Sequence, residues 1–295
     1  MNKLRKRFIC FNLIIIGAIT VSIAALVYFA TPSQMPIKRL IGTIIIMLGL
    51  IFVGSLLSSK IAMKPIQAAW KRQLDFTADA SHELRTPLAV MQTNLELVMD
   101  NSDDSVGSQL KWLNNIHNET ISMTKLVDDL LTLSRGDTGE KTLEYSLFSL
   151  NSLAEETAAL FETTAKQKSI DIQIAANDEI RLWADISRMK QLLGILVDNA
   201  VKYMDKPGRV LIELSKKDNS AQIIVSDSGK GITPEHLTKI FDRFYRAEKQ
   251  SAEGFGLGLS IAEWIVKEHG GSIKADSIVG EGTRIVVCFP LGKPA

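Results

Sequence analysis

The fold is decided by the stretch from Trp70 to Val98, which reads WKRQLDFTADASHELRTPLAVMQTNLELV. Along it, a series of mostly apolar residues steps alternately by four and three: Trp70, Leu74, Thr77, Ser81, Leu84, Leu88, Met91, Leu95 and Val98. This heptad spacing predicts a helix with a single packing stripe. The polar segment Asn101–Ser108, which contains Gly107, predicts the turn that ends it.

A second heptad series follows the turn, at Leu113, Ile116, Thr120, Met123, Val127 and Leu130. Two heptad helices joined by a short loop predict an antiparallel hairpin. One hairpin buries its stripe poorly, whereas two hairpins make a four-helix bundle, so a homodimer is expected. The alternative is a hairpin that packs on the C-terminal domain of its own chain.

Two apolar runs near the N-terminus predict a membrane anchor over residues 1–60. Residues 8–30 and residues 40–57 are both free of charge. A helix needs about 20 apolar residues to cross a bilayer, so each run predicts one transmembrane helix. A secretory signal peptide is the alternative for the first run, but its apolar stretch usually has only about 7–15 residues.

Positive charges predict the orientation of this two-pass anchor. Basic residues flank the two runs on their outer sides: Lys3, Arg5, Lys6 and Arg7 before the first, Lys60 and Lys64 after the second. Such flanks stay in the cytoplasm, which places both chain ends inside. The connection 31–39 is too short for a folded domain, so we expect the stimulus to act within the bilayer or to come from another membrane protein.

The overall charge excludes one class of partner. The 34 Lys and Arg residues are balanced by 33 Asp and Glu residues, which leaves no basic surface typical of nucleic-acid binding. The two cysteines, Cys10 and Cys288, are far apart and indicate neither a disulfide framework nor a metal cluster.

The cytoplasmic part divides into a helical domain, 61–136, and a mixed α/β domain, 141–295, joined by a hinge at Ser134–Glu140. The α/β pattern predicts helices at Leu150–Lys168, Ile186–Tyr203 and Ser260–His269. It predicts strands at Ile170–Ala175, Val210–Leu214, Ala221–Ser226 and Thr283–Phe289.

The first chemical motif is Ser81-His82-Glu83-Leu84-Arg85-Thr86-Pro87-Leu88. His82 follows a stripe residue, which places it on the flank of the helix. A neutral imidazole nitrogen is a competent nucleophile near neutral pH. Glu83 can accept a proton from the other ring nitrogen, and Pro87 is expected to kink the helix. A solvated surface histidine is the alternative for His82 taken alone.

Four further motifs lie in the C-terminal domain. They are Asp198-Asn199-Ala200-Val201-Lys202-Tyr203, Asp227-Ser228-Gly229-Lys230-Gly231-Ile232, Phe241-Asp242-Arg243-Phe244-Tyr245-Arg246 with Gly254-Phe255-Gly256-Leu257-Gly258-Leu259, and Gly280-Glu281-Gly282-Thr283. Glycines let backbone N–H groups approach phosphates, and the run ending at Gly258 opens a helix whose positive end suits anions. One glycine run is a weak signal, but these motifs in this order are specific.

From about Pro65 to the C-terminus the chain resembles the transmitter region of bacterial two-component sensor histidine kinases. The resemblance implies a dimerisation and phosphotransfer hairpin followed by an ATP-binding α/β sandwich, a fold shared with heat-shock chaperone and type II topoisomerase ATPases. It also implies autophosphorylation of His82 from ATP, transfer to an aspartate of a cognate response regulator, and a place in the bacterial cell membrane.

The resemblance assigns roles to matched positions. Asn199 would coordinate the Mg²⁺ that bridges the ATP phosphates, Lys202 would contact phosphate, and Tyr203 would lie beside the nucleotide. Asp227 would accept a hydrogen bond from the adenine amino group. The remaining nucleotide-binding residues are Gly229 and Gly231 at the adenine, Arg243 and Arg246 at the edge of a lid, Gly254, Gly256 and Gly258 closing that lid, and Thr283 in the last glycine motif.

Two positions bear on the balance of activities. Thr86, one turn after His82, would orient water to remove phosphate from the partner; its alternative role is simply to precede a proline. Ile195 stands where the family usually has a polar residue, one turn before Asn199. A phosphatase-dominated or weakly active nucleotide-binding regulator is therefore the rival reading, and a stand-alone ATPase would leave the His82 motif without a purpose.

Overall fold

The structure is a computed structural model that describes residues 17, 18, 22, 37–138, 143–204, 207–217, 219–247 and 254–292. The chain divides into two compact units, Met1–Ala78 and Asp79–Ala295. Helix α1 (Ile37–Asp100) begins in the first unit and ends in the second. Apart from residues 17, 18 and 22, the predicted membrane span 8–30 lies outside the described residues.

The second predicted span, 40–57, falls on helical backbone at the start of α1, and most of its side chains lie outside the described part. Within the part of the chain that the structure describes, no helix combines the length and the apolar character needed to cross a membrane.

The predicted hairpin is confirmed in the second unit. Helix α2 (Val106–Thr138) follows the polar turn, and side chains connect it to α1. The Asn115 Nδ2 donates to Asn94 Oδ1 at 3.1 Å, and the Gln109 Nε2 donates to the carbonyl of Val98 at 3.4 Å. These contacts pair the end of α1 with the start of α2, so the two helices are antiparallel.

Burial differs along the predicted stripe. Within the single chain, the most buried hairpin residues all lie outside this stripe: Pro87, Asn94, Gln109, Leu126 and Leu133. By contrast, the stripe residues Leu88, Leu95 and Val127 are 55%, 50% and 43% exposed. The hairpin therefore presents a second apolar face that its own partner helix does not cover.

The predicted hinge at Ser134–Glu140 is wrong over its first five residues, because α2 continues to Thr138. A single glycine inside a helix costs only about 1 kcal/mol relative to alanine, which a long helix tolerates. Helix α1 also continues without interruption through Pro65 and Pro87.

The α/β part contains seven strands and four helices among the described residues. The strands are β1 (Tyr145–Ser149), β2 (Ile170–Ala176), β3 (Arg181–Asp185), β4 (Gly208–Lys217), β5 (Ser220–Asp227), β6 (Ser272–Ile278) and β7 (Gly282–Pro290). The helices are α3 (Leu150–Gln167), α4 (Ile186–Lys202), α5 (Pro234–Leu237) and α6 (Gly258–Glu268).

Five strands form one mixed sheet in the order β2-β4-β5-β7-β6, with β2 and β4 parallel and the other pairs antiparallel. Strands β1 and β3 form a separate antiparallel pair. On β4 the residues Val210, Ile212 and Leu214 are buried and alternate with partly exposed ones. This alternation gives the sheet one core face, which the apolar sides of α3, α4 and α6 cover.

All three predicted helices and all four predicted strands of this part are confirmed within two residues at each end, apart from β4, which extends three residues further at its C-terminal end. Strands β1, β3 and β6 and the short helix α5 were not predicted. Two of these strands have only five residues, and on β6 exposed positions alternate with half-buried ones without a buried residue.

Candidate functional site

A pocket of about 240 Å³ opens beside the C-terminal half of α4 and the end of β5. Six of the nucleotide-binding residues predicted from sequence line it: Asn199, Tyr203, Asp227, Gly231, Arg246 and Thr283. The other predicted residues of this part do not line it: Lys202, Gly229, Arg243, Gly254, Gly256 and Gly258.

Asp227 is the acidic group of the pocket. Its Oδ1 accepts hydrogen bonds from the backbone N–H of Gly229 at 2.9 Å and from that of Thr283 at 3.2 Å. Burial is the largest influence and raises the pKa of Asp227, while the two N–H donors act in the opposite direction. The carboxyl group is therefore fixed in orientation by two backbone donors and faces an apolar wall that includes Val225.

Two glycines let the backbone turn tightly around this carboxyl group. Gly231 has φ +69°, and a Cβ there would collide with the carbonyl oxygen of Ile278. Gly282 has φ +125°, and a Cβ there would collide with the carbonyl of Asp227. Any other residue at either position would meet both backbone strain and backbone atoms that cannot move aside.

Positive charge gathers around Tyr203. The Nζ atoms of Lys202 and Lys230 lie 5.4 Å and 5.7 Å from the centroid of the Tyr203 ring. A Cβ placed on Gly254 would come within 2.9 Å of Lys202 Nζ, so this ammonium group lies next to the glycine segment. Two ammonium groups beside the pocket suit an anionic ligand.

Helix α4 is held at both ends, which positions its pocket residues. Asp185 Oδ1 accepts from the N–H groups of Ser187 and Arg188 at the first turn. At the other end, Lys168 Nζ donates to the carbonyl of Val201 at 3.2 Å, a favourable place for a cation. Asn199, in the last turns of α4, and Tyr203, at its C-cap, are thus carried by a helix that is fixed at both ends.

The start of α6 approaches the same side of α4. A Cβ on Gly258 would lie 3.3 Å from Ile195 Cγ2 and 3.9 Å from Asn199 Nδ2. Among the described residues no side chain caps the N-terminus of α6, so its first N–H groups remain available to an anionic ligand.

The predicted acceptor lies on the hairpin. His82 and Thr86 are exposed on α1, whereas Glu83 between them is half-buried. The His82 motif and the pocket residues occupy different elements of the second unit.

Sequence reasoning missed several residues of the pocket. Ser277 Oγ accepts from the N–H of Ile232 at 2.8 Å and so holds the segment after Gly231 against β6. Lys230, His236 and Tyr245 also line the pocket, although none of them was assigned a role from sequence. Ser277 and His236 lie outside the sequence motifs, so only the tertiary fold brings them to this site.

Comparison with known proteins finds two family domains in this chain. The His Kinase A (phospho-acceptor) domain matches residues 72–139, and the histidine kinase-, DNA gyrase B- and HSP90-like ATPase matches residues 184–293. Sensor histidine kinase RppB of Synechocystis sp. is 33% identical over 83% of this chain and 55% of its own length. Signal transduction histidine-protein kinase BaeS of Escherichia coli is 34% identical over 74% of this chain and 46% of its own length.

Solved structures of histidine kinases share the fold of this chain. Histidine kinase ThkA in complex with response regulator protein TrrA has 28% identity, covers 77% of this chain and 66% of its own, and has a TM-score of 0.62. Acinetobacter baumannii histidine kinase AdeS, at 24% identity, shares the fold over 72% of this chain and 98% of its own, with a TM-score of 0.60.

The chain belongs to the sensor histidine kinase family. It spans about half the length of the curated relatives that it matches, 55% of RppB and 46% of BaeS.

Proposed function

We propose that this chain is an ATP-dependent protein-histidine kinase that phosphorylates His82 and passes the phosphoryl group to an aspartate of a cognate response regulator. The observation that carries the proposal is an exposed imidazole on a helical hairpin in a chain that also has a pocket with a half-buried acceptor, Asp227, and flanking ammonium groups. The name of the ThkA–TrrA complex supports the kind of partner.

In this mechanism Asp227 accepts a hydrogen bond from the adenine amino group through the carboxylate that Gly229 and Thr283 orient. Lys202, Lys230 and the uncapped N-terminus of α6 bind the phosphate oxygens. The His82 nitrogen attacks the γ-phosphorus, the bond to the β–γ bridging oxygen breaks, and ADP leaves. Glu83 accepts the proton from the other ring nitrogen.

The residues also suit a magnesium ion bound with the nucleotide. Mg²⁺ prefers oxygen ligands and usually keeps several waters while it binds phosphates through one or two protein groups. Asn199 lines the pocket next to Gly258 and would supply such an oxygen. When bound, the ion would neutralise phosphate charge during the transfer.

We infer a homodimer and a two-pass membrane anchor as well. The uncovered hairpin face with Leu88, Leu95 and Val127 suits a second copy, which would complete a four-helix bundle. The uncharged runs 8–30 and 40–57 have the length of membrane-crossing helices. Both chain ends would then lie in the cytoplasm of a bacterial cell, with the stimulus acting in the bilayer or through another membrane protein.

The kinase proposal is tested by incubating the purified full chain with γ-labelled ATP. We expect an acid-labile label on the wild type and none on His82→Gln. His117→Gln is the matched control, because His117 is an exposed histidine on the other hairpin helix and should leave the label unchanged. Absence of label from a folded wild type that binds ATP would refute the kinase and favour the nucleotide-binding regulator that Ile195 suggests.

Removal of phosphate from the partner is the second proposed activity. Thr86 is exposed one turn after His82 on the same helix face, where its hydroxyl could orient a water molecule. Thr86→Ala should slow the decay of a phosphorylated response regulator mixed with the full chain and ADP, while His82 labelling persists. Equal decay with both chains would leave Thr86 as only the residue before Pro87.

A further inference from the structure

A histidine and a tyrosine that both line the nucleotide pocket are hydrogen-bonded to each other. His236 Nδ1 and the Tyr245 hydroxyl are 2.5 Å apart and share a hydrogen bond, and their ring centroids are 6.0 Å apart. Both residues line the pocket, as does Arg246, the next residue along the chain. This hydrogen bond restrains the distance between the segment that carries His236 and the segment that carries Tyr245.

His236 stands on a fixed base. Its N–H donates to the carbonyl of Thr233 at 3.0 Å, and its own carbonyl accepts from Lys239 at 2.8 Å. Just before this turn, the N–H of Ile232 donates to Ser277 Oγ of β6 at 2.8 Å. The backbone of His236 is therefore tied to Thr233, and the adjacent Ile232 is bonded to β6, the edge strand of the sheet.

Tyr245 stands on a strained backbone. Phe244, the residue before it, has φ +59°, a left-handed conformation that is strained for a non-glycine residue and survives only where its surroundings impose it. Gly256 packs on this point, since a Cβ there would come within 2.8 Å of both the Phe244 carbonyl carbon and the Tyr245 carbonyl oxygen. The tyrosine side chain is thus one of the contacts that can hold this segment in place.

We propose that the His236–Tyr245 hydrogen bond is a clamp that positions Arg246 for the phosphates of the nucleotide, so that His236 and Tyr245 are positioning residues for triphosphate binding. The inference rests on the proposed ATP-binding function. Two parts of the pocket then have separate tasks. Asp227, at the end of β5, binds the base, while the clamp aligns the side chain of Arg246. Loss of the clamp should lower the affinity for ATP much more than the affinity for adenosine.

The test is equilibrium binding of ATP and of adenosine to the full chain and its variants. Tyr245→Phe removes only the hydroxyl, and His236→Phe keeps a ring but removes the nitrogen. Each variant should lower the affinity for ATP about two- to tenfold, the range expected from losing one such hydrogen bond, and should leave the affinity for adenosine unchanged. The double variant should bind ATP no more weakly than the single variant with the lower affinity, because the two substitutions remove the same interaction.

Tyr145→Phe and His117→Gln are matched controls, since Tyr145 lies on β1 and His117 on α2, away from this pocket. The clamp is overturned if Tyr245→Phe binds ATP as the wild type does, if ATP and adenosine weaken equally, or if the two single effects add in the double variant. These outcomes presuppose a wild type that binds ATP; a wild type that binds none would instead overturn the proposed function.

Discussion

The Asp227 carboxylate accepts the backbone N–H of Thr283 at 3.2 Å, which joins the end of β5 to the start of β7 at the floor of the pocket. The second donor, the N–H of Gly229, goes to the same oxygen, Oδ1. Among the described contacts this leaves Oδ2 to a ligand. The sheet thus presents one charged acceptor in a set direction, which is what recognition of an amino group requires.

Asp227→Asn should therefore abolish most ATP affinity. An amide cannot satisfy the two backbone donors and also present a charged acceptor, and a hydrogen bond to a charged group contributes about 1.5–3 kcal/mol, or roughly ten- to hundredfold in affinity. Equilibrium binding of ATP measures it. Asp276→Asn is the control, because Asp276 is an exposed carboxylate on β6. An unchanged affinity in folded Asp227→Asn would remove this residue from base recognition.

The hairpin was predictable from sequence because its signal is local and repeated. Nine positions of one heptad series and six of the next give the helices, and the polar segment between them gives the turn. The hinge was not predictable in the same way. Whether a helix with one glycine ends or continues depends on about 1 kcal/mol, which neighbouring turns can offset.

The nucleotide pocket was predictable only in part. The glycines lie in short motifs that indicated phosphate binding, and the resemblance to sensor histidine kinases implied base recognition by Asp227. Ser277 and His236 act through Ile232 and Tyr245, which lie 45 and 9 positions from them in sequence. Nothing in the local sequence marks such contacts, because β6 has no buried stripe and α5 is only four residues long.

Gly231→Ala should disrupt the pocket and lower the stability of the α/β part. The position has φ +69°, and the added methyl group would collide with the carbonyl oxygen of Ile278. The backbone of Ile278 and Val279 cannot move aside, so we expect loss of ATP binding and a lower thermal midpoint. Both are measured on the purified full chain.

Gly194→Ala is the control for this substitution. Gly194 lies inside α4 with no atom within 4 Å of a Cβ placed there, so alanine should raise stability by about 0.5–1 kcal/mol through its better helix propensity. Equal effects of the two alanines would show that backbone conformation at Gly231 is not the reason for its glycine.

Asp129→Asn should stabilise the hairpin at neutral pH. Burial on α2 raises the pKa of Asp129 from 3.8 to about 6, with Lys125 lowering it and Asp128 raising it further. Because the folded pKa lies above the unfolded one, the unfolded chain ionises first as pH rises. Stability is therefore full below pH 3.8, falls up to about pH 6 and stays lower above it.

The gain from Asp129→Asn, reduced for partial exposure, should be about 1–2 kcal/mol at pH 8 and should vanish near pH 4. Denaturant unfolding at both pH values measures it. Asp128→Asn, the exposed neighbour, is the control and should shift stability little at either pH. A gain of the same size at both pH values would point to packing rather than ionisation.

Ile195→Asn tests whether the apolar residue beside the proposed metal ligand limits the kinase. Ile195 Cγ2 and Asn199 Nδ2 both approach Gly258, so an amide at 195 would bring a second oxygen to the same side of α4. We expect ATP affinity to reach half of its maximum at a several-fold lower Mg²⁺ concentration, and His82 labelling to become faster. Ile195→Val, which stays apolar, should leave both as they are. If Ile195→Asn folds, binds ATP and keeps the wild-type Mg²⁺ dependence, the metal is held without help from this position, and a low kinase rate needs another cause than Ile195.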